Sequence, residues 1–146
     1  MSDVEALNQL EQAYADLRAA IESAYQAQDW HPVMDLVWEL GEFLYIRGHW
    51  KDQRRYLKYA VEAAQKSGDR KSLAQFQYTL GVVAYEQGDY ETAERSYQEA
   101  LRVFDDLEMI ESRADVFNQL GILEQAQGKY KSCRSYLEKA LTIYEE

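Results

Sequence analysis

Along this chain the apolar positions recur at intervals of three and four rather than two. Leu73, Phe76, Leu80, Val83 and Ala84 share one face only if the backbone is helical. A second amphipathic stretch follows with Ala93, Tyr97, Ala100, Leu101 and Phe104. Between the two lies Gly88-Asp89-Tyr90, where glycine can take the left-handed conformation that ends a helix and Asp89 can cap the next. So short a turn leaves only antiparallel packing, which makes the pair a helical hairpin. At the N-terminus Val4, Leu7, Leu10, Tyr14, Leu17, Ile21 and Tyr25 form a single stripe to lay against the next hairpin. The pattern predicts helices over about 3–28, 32–47, 51–67, 71–87, 91–107, 112–127 and 131–145, and no strand. The breaks KSGDRKS near 69 and DDLEMIES near 108 are short and polar, and QDWHPVM places Pro32 in the first turn of a helix. None has the composition of a domain linker.

The glycines give the period. Gly41, Gly81 and Gly121 form one series and Gly48, Gly88 and Gly128 another, each spaced by 40 residues. Leu40, Leu80 and Leu120 precede the first series, and Trp50, Tyr90 and Tyr130 follow the second by two. Leu17, Leu57, Tyr97 and Leu137, with Ala20, Ala60, Ala100 and Ala140, carry the register back to the N-terminus, so residues before about 30 are the second half of an incomplete unit. The expected organisation is one domain over 1–146, with an N-terminal helix (1–30) and repeats at 31–70, 71–110 and 111–146.

Composition fits this picture. A chain of 146 residues can bury a core without a metal or disulfide staple, and a single proline suits helices. Twelve tyrosines against four phenylalanines imply half-buried rings whose hydroxyls reach water or a partner. A net charge of −10 opposes nucleic acid and anionic membrane surfaces as partners. No apolar run is long enough to span a bilayer and the first residues are acidic and amphipathic, so a cytoplasmic location is expected. Cys133 has no second thiol and reads as a small packing residue.

These columns resemble the tetratricopeptide repeat family, marked by a leucine–glycine pair, an Ala-x3-aromatic step in the second helix and a later alanine. Residues 74–106 match best, through Leu80-Gly81, Gly88, Tyr90, Ala93, Tyr97 and Ala100. The third unit repeats them as Leu120-Gly121, Gly128, Tyr130, Cys133, Leu137 and Ala140, and the first more loosely as Leu40-Gly41, Gly48, Trp50, Leu57 and Ala60. Helices approach closely where small side chains face each other, and the expected pairs are Gly81 with Ala93 and Gly121 with Cys133. Gln53 stands at the equivalent place in the first unit, so that hairpin is expected to splay or to turn the amide outward. The family's tyrosine after the Leu-Gly pair is replaced by Leu44, Ala84 and Glu124, with tyrosines one place later at 45 and 85, and the usual proline at the unit end is missing. A 40-residue unit is similar to the longer-helix branch of the family, found in signalling scaffolds, kinesin light chains and bacterial sensor proteins. The resemblance implies an all-α fold, an α-solenoid of about three and a half hairpins and seven antiparallel helices.

It also implies a site. First helices of such stacks line a concave groove that holds an extended or helical peptide. The groove positions carried onto this chain are Asp35, Trp38, Glu39, Glu42 and Tyr45 in the first unit. In the second they are Gln75, Tyr78, Thr79, Val82 and Tyr85, and in the third Asp115, Asn118, Gln119, Ile122 and Gln125. None is basic, so aromatic faces beside carboxylates favour a basic, partly apolar guest. The alternative for Trp38 and Tyr78 is packing between neighbouring helices. Chaperone-binding members hold a C-terminal carboxylate with lysines, arginine and asparagines, whereas Trp38, Glu42 and Thr79 occupy those places here, so that clamp is absent.

A second candidate interface is cationic. Residues 47–71 hold eight Lys or Arg against three acids, whereas 1–46 hold one against nine. Lys51, Arg54, Arg55 and Lys58 share a helical face that is either an ordinary solvated one or a dock for an acidic surface such as the N-terminal helix of another copy. Leu137, Leu141 and Tyr144 have no following hairpin to cover them, which leaves open exposure, self-association or a longer array.

Little in the sequence suggests chemistry. His31 and His49 fall in predicted turns, no metal-ligand cluster or phosphate-cradling loop is spelled out, and neighbouring acids such as Asp105 and Asp106 splay apart on a helix. The expectation is a non-enzymatic scaffold for protein or peptide partners, without cofactor, metal, nucleic acid or membrane. The alternative is an assembly module, or part of a larger sensor or signalling protein, acting through its terminal helices.

Overall fold

Where the hydrophobic period is interrupted by polar residues, the helices stop. The structure, a computed structural model, describes the backbone of residues 2–47 and 50–145 and their side chains except those of 42–47 and 50. Among the described residues there are seven helices and no strand: α1 (Asp3–Gln26), α2 (Trp30–Arg47), α3 (Trp50–Ser67), α4 (Arg70–Glu86), α5 (Tyr90–Asp106), α6 (Ile110–Ala126) and α7 (Tyr130–Glu145). The fold class is all-α. The helices fall into two compact units, Met1–Gly68 with α1 to α3 and Asp69–Glu146 with α4 to α7.

Each helix after α1 starts one or two residues earlier than the periodicity predicts, and α1 ends at 26 rather than 28. The cause is the economy of the turns. The amide of Gly88 donates to the Tyr85 carbonyl at 2.9 Å and that of Asp89 to the Ala84 carbonyl at 2.8 Å, the two bonds of a Schellman closure. Asp89 then accepts the Thr92 amide at 3.2 Å and opens α5. One residue therefore both closes a helix and begins the next. The same bond pair joins Gln28 and Asp29 to α1, Glu108 and Met109 to α5, and Gly128 and Lys129 to α6. Left-handed backbone occurs at Gln28 (φ 56), Gly68 (φ 74), Gly88 (φ 77), Glu108 (φ 55) and Gly128 (φ 76). These turn positions share a 20-residue spacing, half the period of the glycine columns; Gly48, which fits it, lies outside the described residues.

In the second unit two hairpins stack in the α-solenoid manner. Ala74, Ala84, Ala93, Tyr97, Ala100, Val103, Phe104, Val116, Leu120 and Leu123 form its core, drawn from α4, α5 and α6. Cys133 is buried on α7, as a small packing residue should be. At the glycines a large side chain stands nearest, and at Gly121 the backbone of the expected partner Cys133 is close as well. A Cβ on Gly81 would meet the Tyr97 ring at 2.6 Å, and one on Gly121 would meet Leu137 at 2.8 Å, with the Cys133 carbonyl oxygen at 3.4 Å. Each glycine is thus the flat seat of a large side chain one turn beyond the small one. Asp105 and Asp106 do splay, Asp105 to Arg113 of α6 at 3.3 Å and Asp106 to Arg70 of α4 at 2.8 Å.

In the first unit Gly41 has no described atom within 4 Å of where a Cβ would stand. Gln53 is 6% exposed, so its side chain turns inward rather than outward. α1 and α3 run parallel and are joined by a polar seam. Tyr14 donates its hydroxyl to Asp52, Arg18 donates to the Tyr56 oxygen at 3.4 Å, and Tyr59 donates to Glu22 at 3.2 Å. Tyr25 completes the series, donating to Glu62 at 2.5 Å and stacking on Tyr59 with ring centroids 3.8 Å apart. Three of the twelve tyrosines, Tyr14, Tyr25 and Tyr59, thus set their hydroxyls on carboxylates of the neighbouring helix.

The seam also limits how much of α1 is covered. Its partners lie 37 or 38 residues apart in sequence, so Trp50, the first residue of α3, falls opposite residue 12. The earlier turns of α1 overrun α3. Tyr14 and Ile21 are buried, but Val4, Leu7 and Leu10 are 67%, 42% and 46% exposed. The single stripe expected to pack along the whole helix does so only over its second half.

Candidate functional site

The proposed groove positions separate into two environments. On α2, Asp35 and Glu39 are exposed and Trp38 between them is 55% exposed. Tryptophan so displayed between two carboxylates, three residues before and one after, is a face for a cation or an apolar side chain. The side chains of Glu42 and Tyr45 lie outside the described residues.

On α4 and α6 the positions are half-buried. Gln75, Tyr78, Val82 and Tyr85 on α4, and Asn118 and Ile122 on α6, are partly covered, while Gln125 and Asp115 are exposed. Tyr78, Val82 and Tyr85 rest against the core cluster, so their inner edges pack and their outer edges remain. Tyr78 tilts over Tyr97 at 6.0 Å between centroids. Its phenol is pushed up chiefly by burial, then by the charge of Asp115, against a hydrogen bond with Gln119 that pulls it down. Tyr85 meets the Tyr90 ring at 5.7 Å. Beneath them Tyr97 is fully buried, its hydroxyl has no partner among the described residues, and burial pushes that phenol up.

Tyr144 belongs to this surface, although its place in the sequence marks it only as part of an uncovered end. It donates its hydroxyl from α7 to Asp115 on α6 at 2.5 Å, and this bond raises its pKa to about 12. The ring stays 55% exposed. The hairpin brings residues 29 apart into contact, a separation that no helical period within α6 or α7 signals.

The cationic face of α3 meets carboxylates of its own chain. Arg55 lies 2.7 Å from Glu22 of α1, donates to the Tyr59 hydroxyl at 3.2 Å, and sits 5.7 Å from the centroids of both the Tyr56 and Tyr59 rings. Lys51 and Lys58 are exposed and Arg54 is half-buried. The acidic N-terminal helix that Arg55 reaches is therefore that of the same molecule.

His31 is exposed and lies within the first turn of α2 rather than in a turn before it; His49 lies outside the described residues. Among the described residues no three His, Cys, Asp or Glu side chains gather as metal ligands, and no helix is long and apolar enough to cross a membrane.

Known structures share this architecture. BtubC (BKLC) from P. vanneervenii superposes with a TM-score of 0.74 at 23% identity, over 97% of this chain and 61% of that one. The present chain thus spans about three fifths of that protein. The TPR domain of Arabidopsis FLU gives a TM-score of 0.74 at 14% identity, over 80% of this chain and 98% of that one. At these identities the likeness is one of fold. No curated protein matches the sequence. Two models of the tetratricopeptide repeat match it, one over residues 34–106 and one over 113–146. Forty-residue hairpins, glycine seats beneath large second-helix side chains, and these matches together lead to one conclusion: the chain belongs to the tetratricopeptide repeat family of protein-interaction scaffolds.

Proposed function

We propose that the first-helix faces of this chain bind a basic, partly apolar peptide or helical segment, and that the protein works by holding a partner rather than by catalysis. The reading treats the N-terminal helix and the three repeats as one binding module in the cytoplasm. The observation that carries it is Trp38, more than half exposed between the exposed carboxylates of Asp35 and Glu39. Exposed aromatic anchors of this type dominate interface energetics, and flanking carboxylates add selectivity for Lys or Arg. The α4 and α6 positions, within the second unit, present tyrosine edges, Val82, Ile122 and amides, with no basic side chain among them. Amides there offer hydrogen bonds to a peptide backbone.

The test is selection of binders from a random peptide library displayed on phage. Recovered sequences are expected to be rich in Lys or Arg interspersed with apolar residues. Trp38→Ala and Tyr85→Ala are each expected to weaken a recovered peptide about tenfold, and added salt should weaken it further. Enrichment of acidic peptides, or affinity unmoved by both substitutions, would overturn the reading.

A further inference from the structure

Tyr97 is the exception in its sequence column. Leu17, Leu57 and Leu137 hold the equivalent places, and Leu137 seats on Gly121 as Tyr97 seats on Gly81, so an aliphatic side chain suffices for that contact. What the tyrosine adds is a hydroxyl. Tyr97 is fully buried, its oxygen has no hydrogen-bond partner among the described residues, and the packing leaves that oxygen no surface for water to touch. A phenol that donates to nothing destabilises the fold, because in the unfolded chain the same group bonds to water. Packing accounts for the ring and leaves the oxygen without a role in the free protein.

That oxygen lies beneath the α4 face. A Cβ on Gly81 would stand 2.6 Å from two carbons of the Tyr97 ring and 3.1 Å from the carbon that bears the hydroxyl. Tyr78, three residues before Gly81, and Tyr85, four after it, flank this contact on one helical face, and both pack on the cluster that contains Tyr97. The Tyr78 and Tyr97 ring centroids are 6.0 Å apart. Burial first, then the nearness of the Tyr78 and Tyr85 phenols and of Glu86, raise the Tyr97 pKa, in keeping with an oxygen set beside those three residues of α4. The flanking rings are held unequally. Tyr78 is tied to Gln119 by a hydrogen bond, whereas Tyr85 has no hydrogen bond to its hydroxyl among the described residues and rests its half-buried ring against Tyr90. Rotation of the Tyr85 side chain is the route to the oxygen beneath, and rotamer changes of this kind are common when partners bind.

We propose that a peptide held on α4 takes up this hydrogen bond, placing a main-chain carbonyl oxygen between Tyr78 and Tyr85 to accept from the Tyr97 hydroxyl. The acceptor is neutral. Glu86 bears on Tyr97 and Asp115 on Tyr78, so a carboxylate would be repelled there, and a cation would have to be stripped of its water to enter. A donor left unpaired in the free protein makes the site selective, because a guest with no acceptor at that place leaves the donor unpaired in the complex as well. The donor so assigned presupposes the peptide site proposed above, and the experiment separates the two.

Tyr97→Phe in the full chain, measured with a peptide recovered by phage selection, is the test. Loss of the oxygen is expected to raise the urea midpoint of the free protein by about 0.5–1 M and to weaken the peptide about fivefold. A ring with a purely structural role would not move stability and affinity in opposite directions. Replacing the amides of the peptide by esters one at a time, which weakens each carbonyl as an acceptor, should reveal one position that matters to the parent protein and not to Tyr97→Phe. A free protein destabilised by Tyr97→Phe would mean that the hydroxyl is already bonded, and would overturn the proposal. Affinity lowered by Tyr85→Ala but unmoved by Tyr97→Phe, or an ester scan that is the same for both proteins, would overturn it while leaving the peptide site standing. Absence of any binder sensitive to Tyr85→Ala would overturn the peptide site on α4 and the hydrogen bond together.

Discussion

Gly41, Gly81 and Gly121 occupy one sequence column, yet their surroundings differ. A Cβ at Gly81 would come within 2.6 Å of the Tyr97 ring, which is fully buried and has nowhere to go. Gly81→Ala is expected to cost about 1–3 kcal/mol, the range for overpacking a filled core. At Gly121 the obstacle is Leu137 Cδ2 at 2.8 Å, and Leu137 is 39% exposed and can swing away. Gly121→Ala should therefore be close to neutral, helix propensity offsetting the adjustment. At Gly41 no described atom lies within 4 Å, and Gly41→Ala is expected to stabilise by about 0.5–1 kcal/mol through lost backbone freedom in the unfolded chain. Urea denaturation of the three variants checks the order; equal effects would contradict the packing described. The column itself is legible in the sequence. Its neighbours are not, because they are set by the depth at which Tyr97 and Leu137 reach across the hairpin.

At the scale of the helix, the turn geometry is stricter than the residues that fill it. Gln28 and Glu108 hold φ of 56° and 55° where Gly68, Gly88 and Gly128 stand in the other turns. Glutamine and glutamate favour helices, and nothing in their chemistry marks a stop, so the residue pattern carries α1 to about 28 whereas the helix ends at Gln26. What forces them is the closing bond pair: the Asp29 amide to the Ala24 carbonyl at 2.9 Å, and the Met109 amide to the Phe104 carbonyl at 2.9 Å. A side chain in left-handed backbone costs roughly 1–2 kcal/mol. Part of that is returned when glycine, freer in the unfolded chain, replaces it. Glu108→Gly is expected to raise stability by about 0.5–1 kcal/mol in thermal melts, and a loss of stability would mean that the Glu108 side chain makes a compensating contact. Met109, by contrast, gives α6 no side-chain cap, although its carbonyl still accepts the Arg113 amide at 3.0 Å. The hairpin survives there on its closing bonds and its core.

For the molecule as a whole, tyrosine sets the response to alkali. Tyr14, Tyr25 and Tyr144 hold their protons more tightly than an ordinary phenol: burial leads at Tyr14, and the hydrogen bond to a carboxylate leads at Tyr25 and Tyr144. Tyr78 and Tyr97 are raised mainly by burial. A raised folded pKa means that the unfolded chain releases its protons first as pH climbs. The stabilisation is complete below the ordinary phenol value of about 10 and is lost as pH rises through the folded values, which for Tyr144 is about 12. The melting temperature should therefore hold between neutrality and mild alkali and then fall steeply. Replacing Tyr14, Tyr25 and Tyr144 by Phe should flatten that fall, and an unchanged alkaline limb would remove the tyrosine–carboxylate contacts as its cause. The helices, the repeat length and the family were determined by the sequence alone, because they depend on spacings of three, four and forty that any stretch of the chain displays. Which periodic residues end up covered was decided only by tertiary structure. Trp38 stands out while Tyr78, forty residues later, packs against Tyr97, and Leu7 is bare while Ile21 on the same stripe is buried. Burial depends on what lies opposite, and the 37- to 38-residue offset that sets α1 against α3 belongs to the pairing of the two helices rather than to the pattern within either one.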